Sequence, residues 1–230
     1  NFSDRTFNWK YFAGELAWYL KKDRDIEYIN NFSSFWKNIT NPGTNEINSN
    51  YGSLVLNEQL EWVIKSLAKD KNSRQAIAFF NRPQFQFEGN KDFVCTMYAN
   101  FFIRNNKLHM KIQMRSNDIF YGLTFDAPFF SFLHQTVYHA VWKERVLNGN
   151  DDILELGTYY HCADNIHFYE RHFELAKKIL PKGSGMLAYV VKGGDTAALE
   201  FMRTLKLSLE ATSLGGVESL VECPFNSSHM

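Results

Sequence analysis

The stretch that decides the fold is residues 94–116, VCTMYANFFIRNNKLHMKIQMRS. Its second half alternates polar residues with apolar ones at Leu108, Met110, Ile112 and Met114. This is the period of a strand with one buried face. The first half is rich in aromatic and apolar residues, and the intervening Asn-Asn suits a two-residue turn with positive φ. The stretch therefore predicts an antiparallel hairpin.

The turn also predicts the register, because a two-residue turn at Asn105 and Asn106 pairs residues whose numbers sum to 211. The predicted partners are Met97 with Met114, Ala99 with Ile112, Phe101 with Met110, Ile103 with Leu108, and Cys95 with Ser116. Arg115 would then point away from Cys95. A β-bulge near the strand end would turn it back, and without one Arg115 serves another purpose.

The rest of the chain predicts further elements in an irregular order. Apolar spacing indicates helices over 7–22, 57–69 and 128–147, a strand over 75–80 and a helix over 170–180. Pro128 fits the first turn of its helix. Residues 181–185 read as a linker, and a strand over 186–192 and a helix over about 195–210 follow it.

Composition excludes several classes of protein. The 230 residues are 45% hydrophobic, which suits one mid-sized domain, with or without a short appendage. The formal net charge is zero, so we expect neither a nucleic-acid nor a membrane partner, and any anion must be bound by local arginines.

Three scattered cysteines argue against a disulfide framework and for a reducing compartment, so we expect a cytoplasmic protein. No CxxC or HExxH motif is present, so we expect no metal. There is no apolar run near 18 residues and no visible signal peptide. The missing initiator Met leaves open whether a native N-terminal segment precedes Asn1.

Six segments carry further information, and they are, in order, GELAWYL (14–20), NSNYG (48–52), NSRQAIAFFNRP (72–83), DFVCT (92–96), MRSNDIFYGLTFD (114–126) and IHFYERH (166–172). Together they resemble the family of thymidylate synthases and pyrimidine hydroxymethylases. The INSNYG, RPQF and MRSND stretches look most like the phage-type deoxycytidylate hydroxymethylases. The resemblance implies an α+β catalytic domain over 1–181. Its large mixed or antiparallel sheet would carry flanking helices and form a homodimer.

The resemblance implies covalent catalysis with 5,10-methylenetetrahydrofolate as co-substrate. C5 of a pyrimidine is too weak a nucleophile until a thiolate adds at C6. Cys95 matches the family nucleophile, and Arg115 is the neighbouring cation that would lower its pKa. The alternative is an inert, buried cysteine. Glu15 and Tyr51 match the pair that transfers protons through ordered water, although Glu15 could instead lie on the polar face of its helix.

Other matches imply how the substrates bind. Arg115, Ser116 and Asn117 match nucleotide ligands, and His167 and Tyr169 match sugar ligands, although two core aromatic residues would give the same pattern. Arg74 matches an arginine that reaches the phosphate site of the partner subunit, but Gln75 replaces the second arginine usual there. Asp118 matches a contact to the folate, and Trp36 falls where a tryptophan stacks on it.

Asp126 predicts which pyrimidine base the protein binds. Methylating members carry Asn at this position, which suits uracil. A carboxylate accepts a hydrogen bond from cytosine N4, and a protonated one also donates to N3. The sequence therefore predicts conversion of dCMP to 5-hydroxymethyl-dCMP. The alternative for Asp126 is an N-cap of the following helix, and both roles are compatible.

Three other functions remain open at this point. They are thymidylate synthesis from dUMP, hydroxymethylation of CMP, and nucleotide or RNA binding by a non-catalytic remnant. Gln75, and a closing C-terminal segment that we do not find, suggest the last.

Residues 183–223 resemble something else, namely the C-terminal domain of pyridoxal-phosphate enzymes of cysteine and methionine metabolism. The cofactor-binding lysine and the phosphate loop are absent, so we do not expect bound pyridoxal phosphate. We predict a separate α/β appendage over 182–230.

Overall fold

The structure is a computed structural model that describes residues 7–150, 153–179, 194–204, 208–210 and 219–221. The chain divides into two compact units, residues 1–179 and 180–230, which we describe separately. The sequence-based domain boundary after residue 181 stays a prediction.

The first unit mixes helices and strands along the chain. Its helices are α1 (Trp9–Lys21), α2 (Tyr51–Val55), α3 (Glu58–Lys69), α4 (Gly122–Leu147) and α5 (Phe173–Ile179). Its strands are β1 (Ile77–Phe79), β2 (Thr96–Arg104), β3 (Lys107–Met114), β4 (Asn117–Asp118), β5 (Glu155–Ala163) and β6 (Ile166–His167). Single 3₁₀ turns cover Ile29–Asn31, Ser34–Asn38, Pro83–Phe85 and Glu170–His172.

The main sheet has four strands in the order β1-β2-β3-β5. The pairs β1–β2 and β2–β3 are antiparallel, whereas β3–β5 is parallel. The short strands β4 and β6 form a separate parallel pair just beyond the ends of β3 and β5. The α+β class and the mostly antiparallel sheet are therefore confirmed.

The hairpin has the predicted turn, with φ of 50° at Asn105 and 57° at Asn106. The predicted register holds near this turn, where Ile103 pairs with Leu108, Phe101 with Met110 and Ala99 with Ile112. It fails at the other end, because a bulge between Thr96 and Tyr98 makes Thr96 the partner of Met114. The predicted pairs Met97–Met114 and Cys95–Ser116 are therefore wrong. Met97 is the extra residue, and its side chain is exposed.

The core lies between one face of this sheet and the helices. Phe101, Met110 and Ile112 are buried on the sheet, and Phe130 and Val137 are buried on α4. This burial of apolar surface is the main force that holds the helices on the sheet.

Helix α1 adds an aromatic layer to this core. Tyr19 stacks on Tyr51 of α2 with ring centroids 5.3 Å apart. Gly52 makes this approach possible, since a Cβ there would lie 1.6 Å from the Tyr19 carbonyl oxygen. The packing of α1 on α2 therefore places Tyr51 deep in the unit.

Helix α4 begins six residues before the predicted start, at Gly122. Pro128 therefore lies inside the helix rather than in its first turn. Proline lacks an N–H and removes one backbone hydrogen bond, but the first turn has additional support from the Thr124 hydroxyl, which donates to Phe120 O at 2.9 Å. The sequence rule for proline placed the helix boundary too late.

The second unit contains helix α6 (Gly194–Thr204) and the strands β7 (Ser208–Glu210) and β8 (Ser219–Val221). The strands pair in parallel. The predicted helix over about 195–210 is therefore wrong at its end, because Ser208–Glu210 form a strand that pairs with β8. The predicted strand over 186–192 lies outside the described residues. None of the described helices is long and apolar enough to cross a membrane.

Candidate active site

The bulge in β2 brings Cys95 and Arg115 together. Arg115 N donates to Cys95 O at 2.9 Å, and Arg115 Nη2 lies 3.5 Å from Cys95 Sγ. The guanidinium also donates to the carbonyl oxygens of Phe93 and Val94. Its carbon lies 5.0 Å from the centre of the Phe93 ring. In a regular strand Arg115 would point away from Cys95. Here it contacts the Cys95 sulfur instead.

Two opposing effects set the state of the thiol. Burial raises the pKa of Cys95 above its ordinary value, while the positive charge of Arg115 lowers it. The carboxyl groups of Asp126 and Asp92 add smaller effects that raise the pKa. The resting group is therefore a thiol with a cation in place to stabilise its thiolate.

Asp126 is held by a side chain from the neighbouring short strand. Asn117 Nδ2 donates to Asp126 Oδ2 at 2.7 Å. Gly122 leaves room for this pair, because a Cβ there would lie 2.9 Å from Asn117 Nδ2. Asp126 is the fifth residue of α4, so its alternative role as the helix N-cap is wrong.

The carboxyl group of Asp126 takes up a proton near neutral pH. Burial raises its pKa to about 7, although hydrogen bonds from Asn117 and Tyr51 lower it. Thr96 Oγ1 donates to the Tyr51 hydroxyl at 2.8 Å, so the Tyr51 proton is free to point towards Asp126. Thr96 was missed by the sequence analysis, because a buried threonine at a strand start carries no distinctive signal.

Glu15 is buried, with 5% of its surface exposed, so its alternative as a residue on the polar face of α1 is wrong. Tyr11 donates to Glu15 Oε1 at 2.7 Å. Burial raises the pKa of Glu15 to about 8; the Tyr11 hydrogen bond opposes this shift, and the charge of Asp126 adds to it. The two carboxyl groups therefore influence each other's protonation.

Tyr11 was also missed, although its spacing of four from Glu15 is a usable signal on a helix. Its ring contacts Phe125 at a centroid distance of 4.7 Å, and the indole of Trp36 lies beside its hydroxyl. Trp36 itself is buried, 7% exposed, and packs edge-on against Trp18.

The remaining predicted ligands lie along β4 and β6. Ser116 Oγ is 3.2 Å from His167 Nδ1, and the His167 and Tyr169 rings meet edge to face at 5.4 Å. Asp118 pairs with His167 across the two strands and accepts a hydrogen bond from Tyr121 N. The other carboxyl oxygen of Asp118 is buried and has no hydrogen-bond partner among the described residues.

Arg74 lies apart from this group. It is exposed in the loop before β1, and none of the other predicted site residues contacts it within the described part of the chain. The structure thus brings Arg115, Asn117, Tyr51 and Glu15 to Cys95 or Asp126. A second group of predicted residues lies along β4 and β6, namely Ser116, Asp118, His167 and Tyr169. Arg74 lies apart, and Trp36 is buried beside Tyr11.

Comparison with known proteins identifies the class to which this fold and site belong. The model of the thymidylate synthase family matches residues 2–191, so the chain belongs to the thymidylate synthase family. A thermostable thymidylate synthase A from Bacillus subtilis shares the fold, with a TM-score of 0.59 and 21% identity. That match covers 78% of this chain and 64% of the Bacillus chain.

Curated relatives include two kinds of enzyme. A deoxycytidylate 5-hydroxymethyltransferase of Enterobacteria phage T4 is 29% identical over 73% of this chain and 70% of its own length. A thymidylate synthase of Buchnera aphidicola is 28% identical over 71% of this chain but only 61% of its own length. A model of Cys/Met metabolism PLP-dependent enzymes also matches residues 166–230.

Proposed function

We propose that the chain is a one-carbon transferase that hydroxymethylates C5 of dCMP. The observation that carries this proposal is the enclosed carboxyl group of Asp126, with a pKa of about 7, in electrostatic contact with Cys95. A group that is neutral or charged near pH 7 can both donate to cytosine N3 and accept from N4. The phage T4 relative, which carries deoxycytidylate in its name, supports this choice.

Recognition of cytosine over uracil follows from the same carboxyl group. Asn117 and Tyr51 fix its position. Both oxygens of the ionised carboxylate accept hydrogen bonds, so the acceptor O4 of uracil would be mispaired against it in a buried site. Such mispairing is costly and supports strong discrimination.

Cys95 supplies the nucleophile in this proposal. Its thiolate bonds to C6, and the electron pair displaced from the C5–C6 double bond makes C5 nucleophilic. The folate co-substrate supplies the one-carbon unit that C5 attacks. After C5 loses its proton, tetrahydrofolate departs with the electron pair of the carbon–nitrogen bond and leaves an exocyclic methylene on C5. Water adds to this methylene, and departure of the Cys95 thiolate from C6 restores the C5–C6 double bond. Arg115 stabilises the thiolate at the beginning and the end.

Glu15 handles the proton of the attacking water. Its carboxyl group, with a pKa of about 8, accepts or releases a proton in the neutral range. The Tyr11 hydroxyl donates to Glu15 Oε1, and a hydrogen bond from Tyr19 also lowers the pKa of this carboxyl group. The burial of both groups lets each proton transfer occur away from bulk solvent.

The residues present fit the folate at one position. The unpaired carboxyl oxygen of Asp118 suits an N–H donor of a pterin ring. The stacking role of Trp36 stays a prediction, since its ring packs against Trp18. We make no proposal for pyridoxal phosphate, and residues 182–230 are proposed as an appendage to the catalytic domain.

The phosphate and the subunit arrangement complete the proposal. Arg115 would exchange its bonds to backbone carbonyls for phosphate oxygens, with Ser116 beside it. Arg74, exposed and outside the cluster, would serve the phosphate site of a second subunit. The outer face of the sheet offers Phe79 and Tyr160, 51% and 45% exposed, for this homodimer. We propose a cytoplasmic location for the reaction.

Release of tritium from C5 of labelled dCMP, with and without methylenetetrahydrofolate, tests the proposal. We expect release from dCMP and little from dUMP, with no dihydrofolate formed. Brisk release from dUMP with dihydrofolate production would instead establish the second candidate, thymidylate synthesis, which the Buchnera relative favours. A parallel assay with CMP separates the ribonucleotide activity.

A further inference from the structure

A second arginine lies beside the proposed site. Arg171 is exposed in the turn Glu170–His172, and its guanidinium carbon lies 4.6 Å from the centre of the Tyr169 ring and 5.5 Å from that of Tyr121. It has no ion-pair or hydrogen-bond partner in the part of the chain that the structure describes. The two rings hold the guanidinium in place by cation–π contacts and leave its N–H donors unpaired.

The two tyrosines connect Arg171 to both proposed substrates. Tyr169 contacts His167, whose Nδ1 lies 3.2 Å from Ser116 Oγ on the nucleotide side. Tyr121 donates its backbone N–H to Asp118 on the folate side. Arg171 therefore lies between the proposed nucleotide-binding and folate-binding parts of the site.

Two buried polar atoms nearby also lack partners. His172 is 8% exposed, and its ring lies 4.9 Å from that of Tyr121. Its Nδ1 is buried without a hydrogen-bond partner among the described residues, as is one carboxyl oxygen of Asp118. Buried polar atoms are rarely left unpaired unless something else satisfies them. Together with the unpaired Arg171, they point to a ligand that carries ring hydrogen-bonding groups and an anion.

We infer that Arg171 binds an anionic oxygen group of one of the two substrates. This inference rests on the proposed function. The group is either a carboxylate of the glutamate tail of the folate or the 5′-phosphate of the nucleotide. Both present paired oxygens that fit the guanidinium fork. Because the two tyrosine rings already order Arg171, binding costs little side-chain entropy.

Calorimetric binding to the full chain tests the inference with two pairs of ligands. The first pair is dCMP and deoxycytidine, and the second is tetrahydrofolate and the carboxamide of tetrahydropteroate, which carries no carboxylate. Arg171→Gln should weaken binding of the anion-bearing member of one pair by about tenfold and leave the other member unchanged. Arg171→Lys should recover part of the loss, and the affected pair identifies the source of the anion.

Arg104→Gln is the matched control, since Arg104 is an exposed arginine over the single ring of Phe102, and it should change neither pair. Equal losses within both pairs, no loss in either, or no binding by the unaltered chain would overturn the inference. A covalent adduct between Cys95 and a 5-fluoropyrimidine nucleotide is read separately. Absence of this adduct would refute the proposed reaction. The ratio of affinities within each ligand pair would still test whether Arg171 binds the anion.

Discussion

The two ends of the β2–β3 hairpin differ in kind. At the turn, Asn105 and Asn106 both take positive φ, and the strands pair in a regular register. At the open end, Met97 is bulged out, and Cys95 and Arg115 meet where a regular ladder would separate them. The same two strands thus serve stability at one end and chemistry at the other. A departure from regular pairing marks the end where we propose catalysis.

The largest expected effect is at the open end. Cys95→Ser should reduce turnover of dCMP by more than about 10⁴-fold, because a hydroxyl is a far weaker nucleophile at C6. Tritium release from C5 measures this loss, and an unchanged thermal midpoint shows that the fold is intact. Cys162→Ser, a half-buried cysteine in β5, is the control and should keep full activity. Normal activity in Cys95→Ser would refute covalent catalysis.

The next effect concerns the base. Asp126→Asn should lower kcat/KM for dCMP by at least about a hundredfold and raise that for dUMP, because an amide donates where cytosine needs an acceptor. Steady-state assays with both nucleotides measure the ratio. Asp164→Asn, on an exposed carboxylate bonded to Gln113, should leave the ratio unchanged. An unaltered ratio in Asp126→Asn would mean that another group selects the base.

A smaller effect concerns pH. The Tyr11 hydroxyl stabilises the ionised form of Glu15, whose pKa is about 8. Tyr11→Phe removes that hydrogen bond and should raise the pKa further, so the rise of kcat/KM with pH should move to higher pH. Tyr138→Phe also loses a hydrogen bond, to Leu154 O, and should leave the profile in place. Coinciding profiles for Tyr11→Phe and the parent would exclude Tyr11 as a positioning residue.

The smallest effect is at the turn. Asn105→Ala should lower the free energy of unfolding by about 1 kcal/mol, because alanine tolerates positive φ less well than asparagine. Urea denaturation measures the change, and the comparison is Lys107→Ala, which lies two residues along the chain and removes only an exposed ion pair with Glu155. Activity per folded molecule should not change in either variant. A large loss of activity in Asn105→Ala would show that the two ends of the hairpin are coupled.

The sequence predicted those parts of the molecule in which local pattern and turn chemistry agree. The alternation of polar and apolar residues in 107–114 and the Asn-Asn turn predicted the hairpin correctly. The helical spacing of apolar residues over 57–69 predicted the bounds of α3 to within one residue. The bulge was only a conditional prediction, because an extra residue leaves the apolar alternation intact on both sides of it.

The errors have physical causes. The start of α4 was placed at Pro128 because proline favours first turns, while Gly122 begins the helix earlier, beneath Asn117. Tyr11 and Thr96 were missed because their roles depend on contacts across α1, α2 and β2 that one chain segment does not reveal. The motifs identified Glu15 and Tyr51. They did not identify Tyr11 and Thr96, which donate hydrogen bonds to these two residues.

The central claim is tested most directly by mass spectrometry of the protein after incubation with 5-fluoro-dCMP and methylenetetrahydrofolate. Fluorine at C5 cannot leave as a proton does, so a reacting enzyme stays bonded to the nucleotide. We predict an adduct on the peptide containing Cys95, and none in Cys95→Ser. A chain that binds the nucleotide but forms no adduct would contradict the account.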